Sequence, residues 1–200
     1  MEIIRIALAG GPGSGKTTVC SALKNASVQV PEDTALVFLP ETATFHFSHR
    51  DPELTKEESI PVRQHYIFSS QLLTEKTAED TAHTCGKKRL IMITDRGILD
   101  CAVYLAFEDF LKASGLKALP LSHYDLVLFF TGGADITEDA TYRIETDDER
   151  KILADETYRI WSQVKDQAVF KEIPQQETAE QKIREAKQAV NTFLKETVFI

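Results

Sequence analysis

The sequence predicts an α/β fold: a doubly wound, parallel sheet of about five strands with helices on both faces. Apolar runs of strand length recur along the chain and alternate with stretches of helical periodicity. These runs are nearly continuous, which is typical of strands that are buried on both faces of a parallel sheet. A glycine-rich loop joins the first run to the first helical stretch. Right-handed crossovers then place helices on both sides of the sheet.

The predicted elements follow one another in a regular order. The strands are the apolar segments 3–9, 35–39, 90–94, 126–130 and 169–174. The helices are expected at 17–25, 62–84, 99–110, around 153–164 and at 179–194. The last helix has the clearest period, because its apolar residues recur every three or four positions. Residues 45–60 are irregular and predict a loop or a short helix over a pocket.

Length and composition limit the possible classes of protein. Two hundred residues, 42% of them hydrophobic and 27% charged, suit a single domain spanning 1–200. The net charge of −8 argues against a general nucleic-acid-binding surface, which needs clustered positive charge. No stretch approaches the roughly 20 apolar residues of a membrane span. Three widely spaced cysteines indicate reduced thiols, and we therefore expect a cytoplasmic protein.

The glycine-rich loop carries the most specific signal in the chain. Residues 10–17, GGPGSGKT, match the phosphate-binding pattern G-x-x-x-x-G-K-[ST] and lie between a strand and a helix, as that pattern requires. The glycines let backbone amides turn inward around a polyphosphate, and the helix directs its positive end at the same anion. Lys16 is expected on the β- and γ-phosphates, and the Thr17 hydroxyl on Mg²⁺. The predicted nucleotide-binding residues are Gly11, Pro12, Gly13, Ser14, Gly15, Lys16, Thr17 and Thr18.

An acidic residue and an arginine follow the third strand. Asp95 lies where P-loop proteins place a carboxylate that holds magnesium directly or through water. Arg96 is then expected among the phosphates. A strand-end aspartate that caps the helix beginning at Ile98 is the structural alternative, and the two roles are compatible.

A second carboxylate is expected at the same rim, because Glu41 follows the second strand and Pro40. It is placed to accept a proton from a substrate hydroxyl during phosphoryl transfer. Orienting a water for hydrolysis, supporting the magnesium site, or lying exposed in a loop are the alternatives.

The charge-dense segment 134–150 predicts a mobile lid. An arginine from a lid can stabilise the charge that develops on the transferred phosphoryl group, and Arg143 is favoured over Arg150 for this role. The acidic residues of the same segment offer the alternative of ion pairs on a solvated face. On the long helix, Arg63, Gln64 and Gln71 predict either substrate recognition or simple solvation, with Gln71 two turns after Gln64 on the same face.

Two histidines, His46 and His49, are three residues apart, a spacing that can hold a metal on a helix. With no further ligand nearby, a pocket or surface role is favoured for both.

With these residues identified, the chain resembles a known family. GGPGSGKTT, FLPETAT, TDRGILD and YDLVLFF are similar to segments of the AAA-type ATPase domain of NadR-like and TRPL-translocation-defect-like proteins. The resemblance extends over about residues 3–173. It implies a P-loop fold near the nucleoside and nucleotide kinases, binding of ATP or GTP with Mg²⁺, and phosphorylation of a small molecule.

The resemblance also assigns roles to residues of this chain. Lys16 and Thr17 match the family's triphosphate and magnesium residues. Glu41 and Asp95 match its acidic pair, and Arg96 matches the arginine of its DRG motif.

Two functions remain open at the level of sequence. The favoured one is a small-molecule kinase that uses ATP and Mg²⁺, with Glu41 as the base, Asp95 at the metal and an acceptor pocket within 41–75. The alternative is an ATPase or GTPase that acts as a nucleotide switch through a protein or phosphoinositide partner, with 41–60 as the switch segment. No guanine-reading N-K-x-D sequence is present, which favours ATP, with GTP possible.

Overall fold

The structure, a computed structural model, describes residues 1–25, 30–48, 58–105, 107–132 and 147–197. The strands in these ranges are β1 (Glu2–Gly10), β2 (Thr34–Leu39), β3 (Arg89–Asp95), β4 (Leu126–Phe130) and β5 (Val169–Ile173). They form one sheet in the order β2-β3-β1-β4-β5, and every neighbouring pair is parallel. The predicted fold class, strand number and strand direction are confirmed.

Helices occupy both faces of this sheet. They are α1 (Lys16–Asn25), α2 (Thr42–Ser48), α3 (Ile60–Thr84), α4 (Phe107–Ser114), α5 (Asp147–Trp161) and α6 (Ala179–Thr197), with short 3-10 helices at Ile98–Ala102 and Ser162–Val164. Among the helices of the described residues, none is both long enough and apolar enough to cross a membrane.

One predicted helical segment is divided in the structure. The helical sequence expected around 99–110 forms the 3-10 helix Ile98–Ala102 and the beginning of the later helix α4. The Asp100 carboxylate accepts a hydrogen bond from the Gly97 N–H, three residues earlier. This bond satisfies the N–H at the amino end of the 3-10 helix and fixes where that helix begins.

Two predicted segments lie largely outside the described residues. Of the segment 45–60, expected to form a loop or a short helix, residues 45–48 form the end of α2, and residues 49–57 are not described. Of the predicted lid 134–150, the structure describes only the part from 147 onward, which forms the start of α5. Arg143 and His49 are therefore outside the described residues.

The core consists of two layers, one on each face of the sheet. On one face Ile6 and Leu8 of β1 belong to a cluster that includes residues of α1 and α6. On the other face Ala7 and Ala9 of β1 belong to a cluster with α3, the first 3-10 helix and α5. The alternation along β1 follows from the two-residue period of a strand. The two alanines leave room for Trp161, the largest buried side chain, to pack close to the sheet.

The carboxyl ends of β1, β2 and β3 meet at one edge of the sheet, the rim. The register aligns Leu8 with Asp95 across β1 and β3, and Leu39 with Thr94 across β2 and β3. The Arg96 N–H extends this ladder by donating to the Leu8 carbonyl at 3.1 Å. The glycine loop after β1, Glu41 after β2 and the Asp95–Arg96 pair of β3 are thereby brought to the same edge of the sheet.

Replacing Leu128 by Ala tests the buried position of β4. Leu128 is 0% exposed, whereas Leu73 on α3 is 68% exposed. We expect Leu128→Ala to lower the free energy of unfolding by about 2–5 kcal/mol, because burial is lost and a cavity remains. Leu73→Ala should change it by less than about 0.5 kcal/mol. Urea unfolding followed by circular dichroism measures both, and equal losses would contradict this packing.

Candidate functional site

The glycine loop leaves the end of β1 and closes around the first turn of α1. Gly10, Gly13 and Gly15 adopt φ angles of +143°, +75° and +88°, which side chains disfavour. These angles reverse the chain within five residues, so that α1 begins at Lys16 with its amino end at the loop. The amides of a helix amino end and a preceding glycine loop form a site for a phosphate group.

Lys16 is folded back onto the loop itself. Its Nζ donates to the carbonyls of Gly10 and Gly11 at 2.7 Å each and to Ser14 Oγ at 3.0 Å. The side chain is only 4% exposed. Burial, together with the nearby Arg96 charge, lowers the pKa of Lys16 to about 7. An anion that approaches this ammonium group favours its charged form.

Asp95 lies at the end of β3 beside Thr17 of α1. Its side chain is buried, and Oδ1 receives no hydrogen bond from any residue that the structure describes. Burial and the Glu41 charge raise the pKa of Asp95, against the opposing effect of the Thr17 hydroxyl. A carboxylate oxygen with spare acceptor capacity next to a hydroxyl is a donor set that fits Mg²⁺.

Glu41 and Arg96 form an ion pair between the ends of β2 and β3, from Glu41 Oε1 to Arg96 Nε. The Thr44 hydroxyl donates to the other oxygen of Glu41 at 2.8 Å. Burial opposes the charge on Glu41, but the Arg96 guanidinium and the Thr44 hydroxyl hold its pKa below the usual value. Burial likewise opposes the charge on Arg96, and Glu41 raises its pKa. The alternative of an exposed loop glutamate is wrong.

A buried polar chain joins this rim to the long helix α3. The Thr42 hydroxyl donates to Gln71 Oε1 at 2.6 Å, and the Gln71 amide donates to Glu75 Oε1 at 2.9 Å. The other Glu75 oxygen lies 2.6 Å from Nε2 of His123. Gln64 and Gln71 are both buried, so the alternative of simple solvation is wrong for them. Gln71 instead anchors the start of α2, immediately after Glu41.

His46 lies in a buried contact with Glu58 and Tyr66. It is buried, its Nε2 lies 2.8 Å from Glu58 Oε2, and its ring packs against Tyr66. Within the described ranges, no group of three or more His, Cys, Asp or Glu residues is arranged to hold a metal.

The turn after Asp95 depends on residues that the sequence analysis did not select. The aspartate that caps the 3-10 helix is Asp100, so the alternative that Asp95 is the cap is wrong. Trp161 at the end of α5 donates its indole N–H to Asp100 Oδ1 at 2.9 Å. Gly97 and Asp100 do not match the capping pattern of a Ser or Thr followed three residues later by Glu or Gln, and nothing in the sequence pairs Asp100 with a tryptophan 61 residues away.

A second missed residue, Lys182 of α6, contacts the glycine loop from the opposite face of the sheet. Its Nζ donates to the Ser14 carbonyl at 3.1 Å and to Gln175 Oε1 at 3.3 Å. In a planar trans peptide the carbonyl and the following N–H point in opposite directions. Holding the Ser14 carbonyl outward therefore directs the Gly15 N–H toward the inside of the loop.

Helix α5 covers the other side of the loop. A methyl group on Gly11 would lie 2.7 Å from the Cβ of Ala154, so that the helix contacts the loop backbone directly. Between them and the end of β4 is a cavity of about 670 Å³. Its lining includes Pro12, Thr131, Arg150 and Lys151. Arg150 thus lies beside the glycine loop.

The fold and the loop together define a P-loop protein. The chain belongs to the AAA domain family, whose match spans residues 5–170. The predicted membership in an AAA-type P-loop family is confirmed. Among curated proteins compared by sequence, none matches this chain.

Solved structures of nucleoside and nucleotide kinases share the fold. The chain is similar to a deoxyadenosine kinase from M. mycoides with dCMP and dCDP bound, with a TM-score of 0.61, 11% identity and coverage of 94% of this chain and 100% of that one. It is also similar to a thymidylate kinase from Ehrlichia chaffeensis, with a TM-score of 0.58, 14% identity and coverage of 97% and 100%. At these identities the likeness shows the fold.

Nucleotide binding is expected to take up protons through Lys16. With a pKa of about 7, Lys16 is only partly protonated at pH 7, and a triphosphate raises that pKa. We expect Mg·ATP binding at pH 7 to take up about half a proton, a value that should fall toward zero near pH 5. Calorimetry in buffers of different ionisation enthalpy measures this uptake. Lys16→Arg is the control, because arginine stays protonated, and a buffer-independent heat for the unaltered chain would contradict the assignment.

Close packing of α5 on the loop can be tested by exchanging the two small residues. We expect Gly11→Ala to weaken ATP binding at least about tenfold, because the added methyl group overlaps Ala154 and something must shift. The double variant Gly11→Ala with Ala154→Gly removes the nearer contact but leaves the Cα of residue 154 at 3.0 Å, so it should recover part of the affinity. Calorimetry provides the dissociation constants. Equal binding by the single and double variants would show that this contact does not shape the loop.

Proposed function

We propose that this chain is a Mg²⁺-dependent phosphotransferase that moves the γ-phosphoryl group of ATP to a hydroxyl or phosphate acceptor on a small molecule. GTP is a possible second donor. The observation that supports this proposal most is the Glu41–Arg96 ion pair, which lies at the same rim as the loop lysine and Asp95. A nucleotide-binding loop alone serves switches and enzymes alike. A half-buried carboxylate that Arg96 holds in its ionised form is suited to accept a proton from an acceptor.

The proposed donor site is the glycine loop with the first turn of α1. Loop amides from residues 11–15, together with Thr18, would bind the phosphates, and Lys16 would exchange its carbonyl partners for phosphate oxygens. Such an exchange is favourable because a charged phosphate is a stronger acceptor than a peptide carbonyl. The cavity between the loop, the end of β4 and α5 offers room for the nucleobase of the donor nucleotide.

Thr17 and Asp95 would hold Mg²⁺. The support for this is the buried Oδ1 of Asp95, which accepts no hydrogen bond from a described residue, and the adjacent Thr17 hydroxyl. When bound, Mg²⁺ neutralises charge on the β- and γ-phosphate oxygens.

Glu41 is the proposed general base. In the transfer step an acceptor oxygen forms a bond to the γ-phosphorus while the bond to the β,γ-bridging oxygen breaks. The acceptor's proton moves to the Glu41 carboxylate. Arg96 holds that carboxylate ionised and aimed into the rim before the acceptor arrives.

The three cysteines are free thiols, in keeping with our placement of this activity in the cytoplasm.

Substituting Glu41 by Gln tests the proposal. Turnover of ATP and GTP with Mg²⁺ is measured with and without a panel of nucleosides and phosphorylated metabolites, and the product is identified by mass spectrometry. We expect one class of acceptor to stimulate turnover, and Glu41→Gln to lower that stimulated rate by about 10²–10⁴-fold. Glu196→Gln, at an exposed position of α6, is the matched control and should leave it unchanged. Tight nucleotide binding with slow turnover that no acceptor changes would overturn the kinase and favour the nucleotide switch.

A further inference from the structure

The turn that carries Arg96 is an unfavourable backbone conformation that its surroundings must maintain. Arg96 has a φ of +74°, in the left-handed region that side chains other than glycine rarely adopt. Its N–H is fixed by the Leu8 carbonyl of β1, and its guanidinium is fixed by Glu41. Neither contact restrains the residues that follow it. The next peptide groups must therefore be held from elsewhere for the turn to persist.

Asp100 supplies one of these restraints by using both carboxylate oxygens. Oδ2 accepts the Gly97 N–H at 3.1 Å, and Oδ1 accepts the Trp161 indole N–H at 2.9 Å. The carboxylate is buried, so that each of these bonds is difficult for water to replace. Trp161 thus determines where Asp100 lies, and Asp100 determines where Gly97 lies.

Aromatic rings close the turn from the other side. A methyl group on Gly97 would lie 2.6 Å from Tyr124 Oη and 2.7 Å from Cη2 of Trp161, which leaves no free space there. The Tyr124 hydroxyl also accepts the Ile98 N–H at 2.8 Å. The residues directly after Arg96 are therefore held by hydrogen bonds to Asp100 and Tyr124 and by the Trp161 ring.

Trp161 is itself placed by the helix that contacts the glycine loop. It is the last residue of α5, and Ala154, seven residues earlier, lies on the same side of that helix against Gly11. One rigid helix thereby sets both the loop and, through Asp100, the Arg96 turn.

From these contacts we propose that Asp100 and Trp161 are positioning residues for phosphoryl transfer: their hydrogen bond fixes the Arg96 turn, and through it the Glu41 carboxylate. The inference rests on the proposed function, because it assigns Glu41 and Arg96 to the reaction. Neither residue contacts the reacting atoms in this role. Their loss should therefore affect the catalytic step more than nucleotide binding.

Two variants separate the hydrogen bond from the charge. Trp161→Phe removes the indole N–H and keeps an aromatic ring and the Asp100 charge. Asp100→Asn keeps the side-chain volume but leaves one acceptor for two donors. Thr157→Val is the matched control, since Thr157 is also buried on α5 and, among the described residues, its hydroxyl bonds only its own helix, at the Leu153 carbonyl. Thermal unfolding identifies the temperature at which all variants are folded.

The first readout is hydrogen exchange of the Arg96 Nε–H by NMR, assigned by comparison with Arg96→Lys. It requires no catalytic activity. We expect exchange about tenfold faster in Trp161→Phe and Asp100→Asn, and unchanged in Thr157→Val. The second readout is acceptor-dependent turnover, with kcat lowered about tenfold in the first two variants and KM for ATP within about twofold.

The two readouts distinguish a failure of this inference from a failure of the proposed function. Unchanged exchange, or loss of kcat equal to that of Thr157→Val, would overturn the positioning role. Faster exchange in a chain that shows no acceptor-dependent turnover would overturn the kinase but support the structural coupling of Trp161 to Arg96.

Discussion

The parallel pairing of β3 with both β1 and β2 is the constraint on which the rest of the site depends. Because parallel strands end at the same edge, three segments that are distant in sequence reach one rim. Strand β1 brings the glycine loop, β2 brings Glu41, and β3, which lies between them, brings Asp95 and Arg96. The ion pair between Glu41 and Arg96 then locks two neighbouring strand ends together. A change of register by one residue would separate all of these groups.

Four charged side chains share this rim, Lys16 and Asp95 buried and Glu41 and Arg96 half-buried, and their balance explains how the charges are tolerated there. Lys16 and Arg96 are positive, and Glu41 and Asp95 are negative in their ionised forms. Burying a charge is costly unless it is paired, and here each carboxylate lies near at least one cation. Glu41 has its ion pair, whereas Asp95 Oδ1 accepts no hydrogen bond from any described residue and Lys16 donates to loop carbonyls. The Glu41–Arg96 ion pair is therefore formed before a ligand binds. Asp95 and Lys16, in contrast, are able to take ligand atoms as partners.

The sequence predicted the parts of the site that arise from local pattern. The loop is a contiguous motif, and Glu41 and Asp95 follow apolar runs whose ends must meet in a parallel sheet. Sequence could not predict partners that only tertiary packing brings together. Three such pairs are far apart in sequence: Trp161 and Asp100 by 61 residues, Lys182 and Ser14 by 168, and Gln71 and Thr42 by 29.

The helix predicted over 99–110 shows a different limit. Its apolar residues do have helical spacing, but the segment starts as a 3-10 helix that the Asp100 side chain caps at Gly97. Trp161, which bonds Asp100, and Tyr124, which bonds the Ile98 N–H, hold this turn. Periodicity does not contain this information, since both aromatic partners come from later in the chain. Here tertiary contacts override a local helical preference.

The most direct test of the account is a crystal structure of the chain with Mg²⁺ and a non-hydrolysable ATP analogue. The account predicts that Lys16 Nζ leaves the carbonyls of Gly10 and Gly11 for the β- and γ-phosphates. We also expect the Asp95 carboxylate to face Mg²⁺ and the γ-phosphate to face Glu41. An analogue bound with Lys16 still on those carbonyls, or with its γ-phosphate directed away from the Glu41–Arg96 pair, would contradict the central claim.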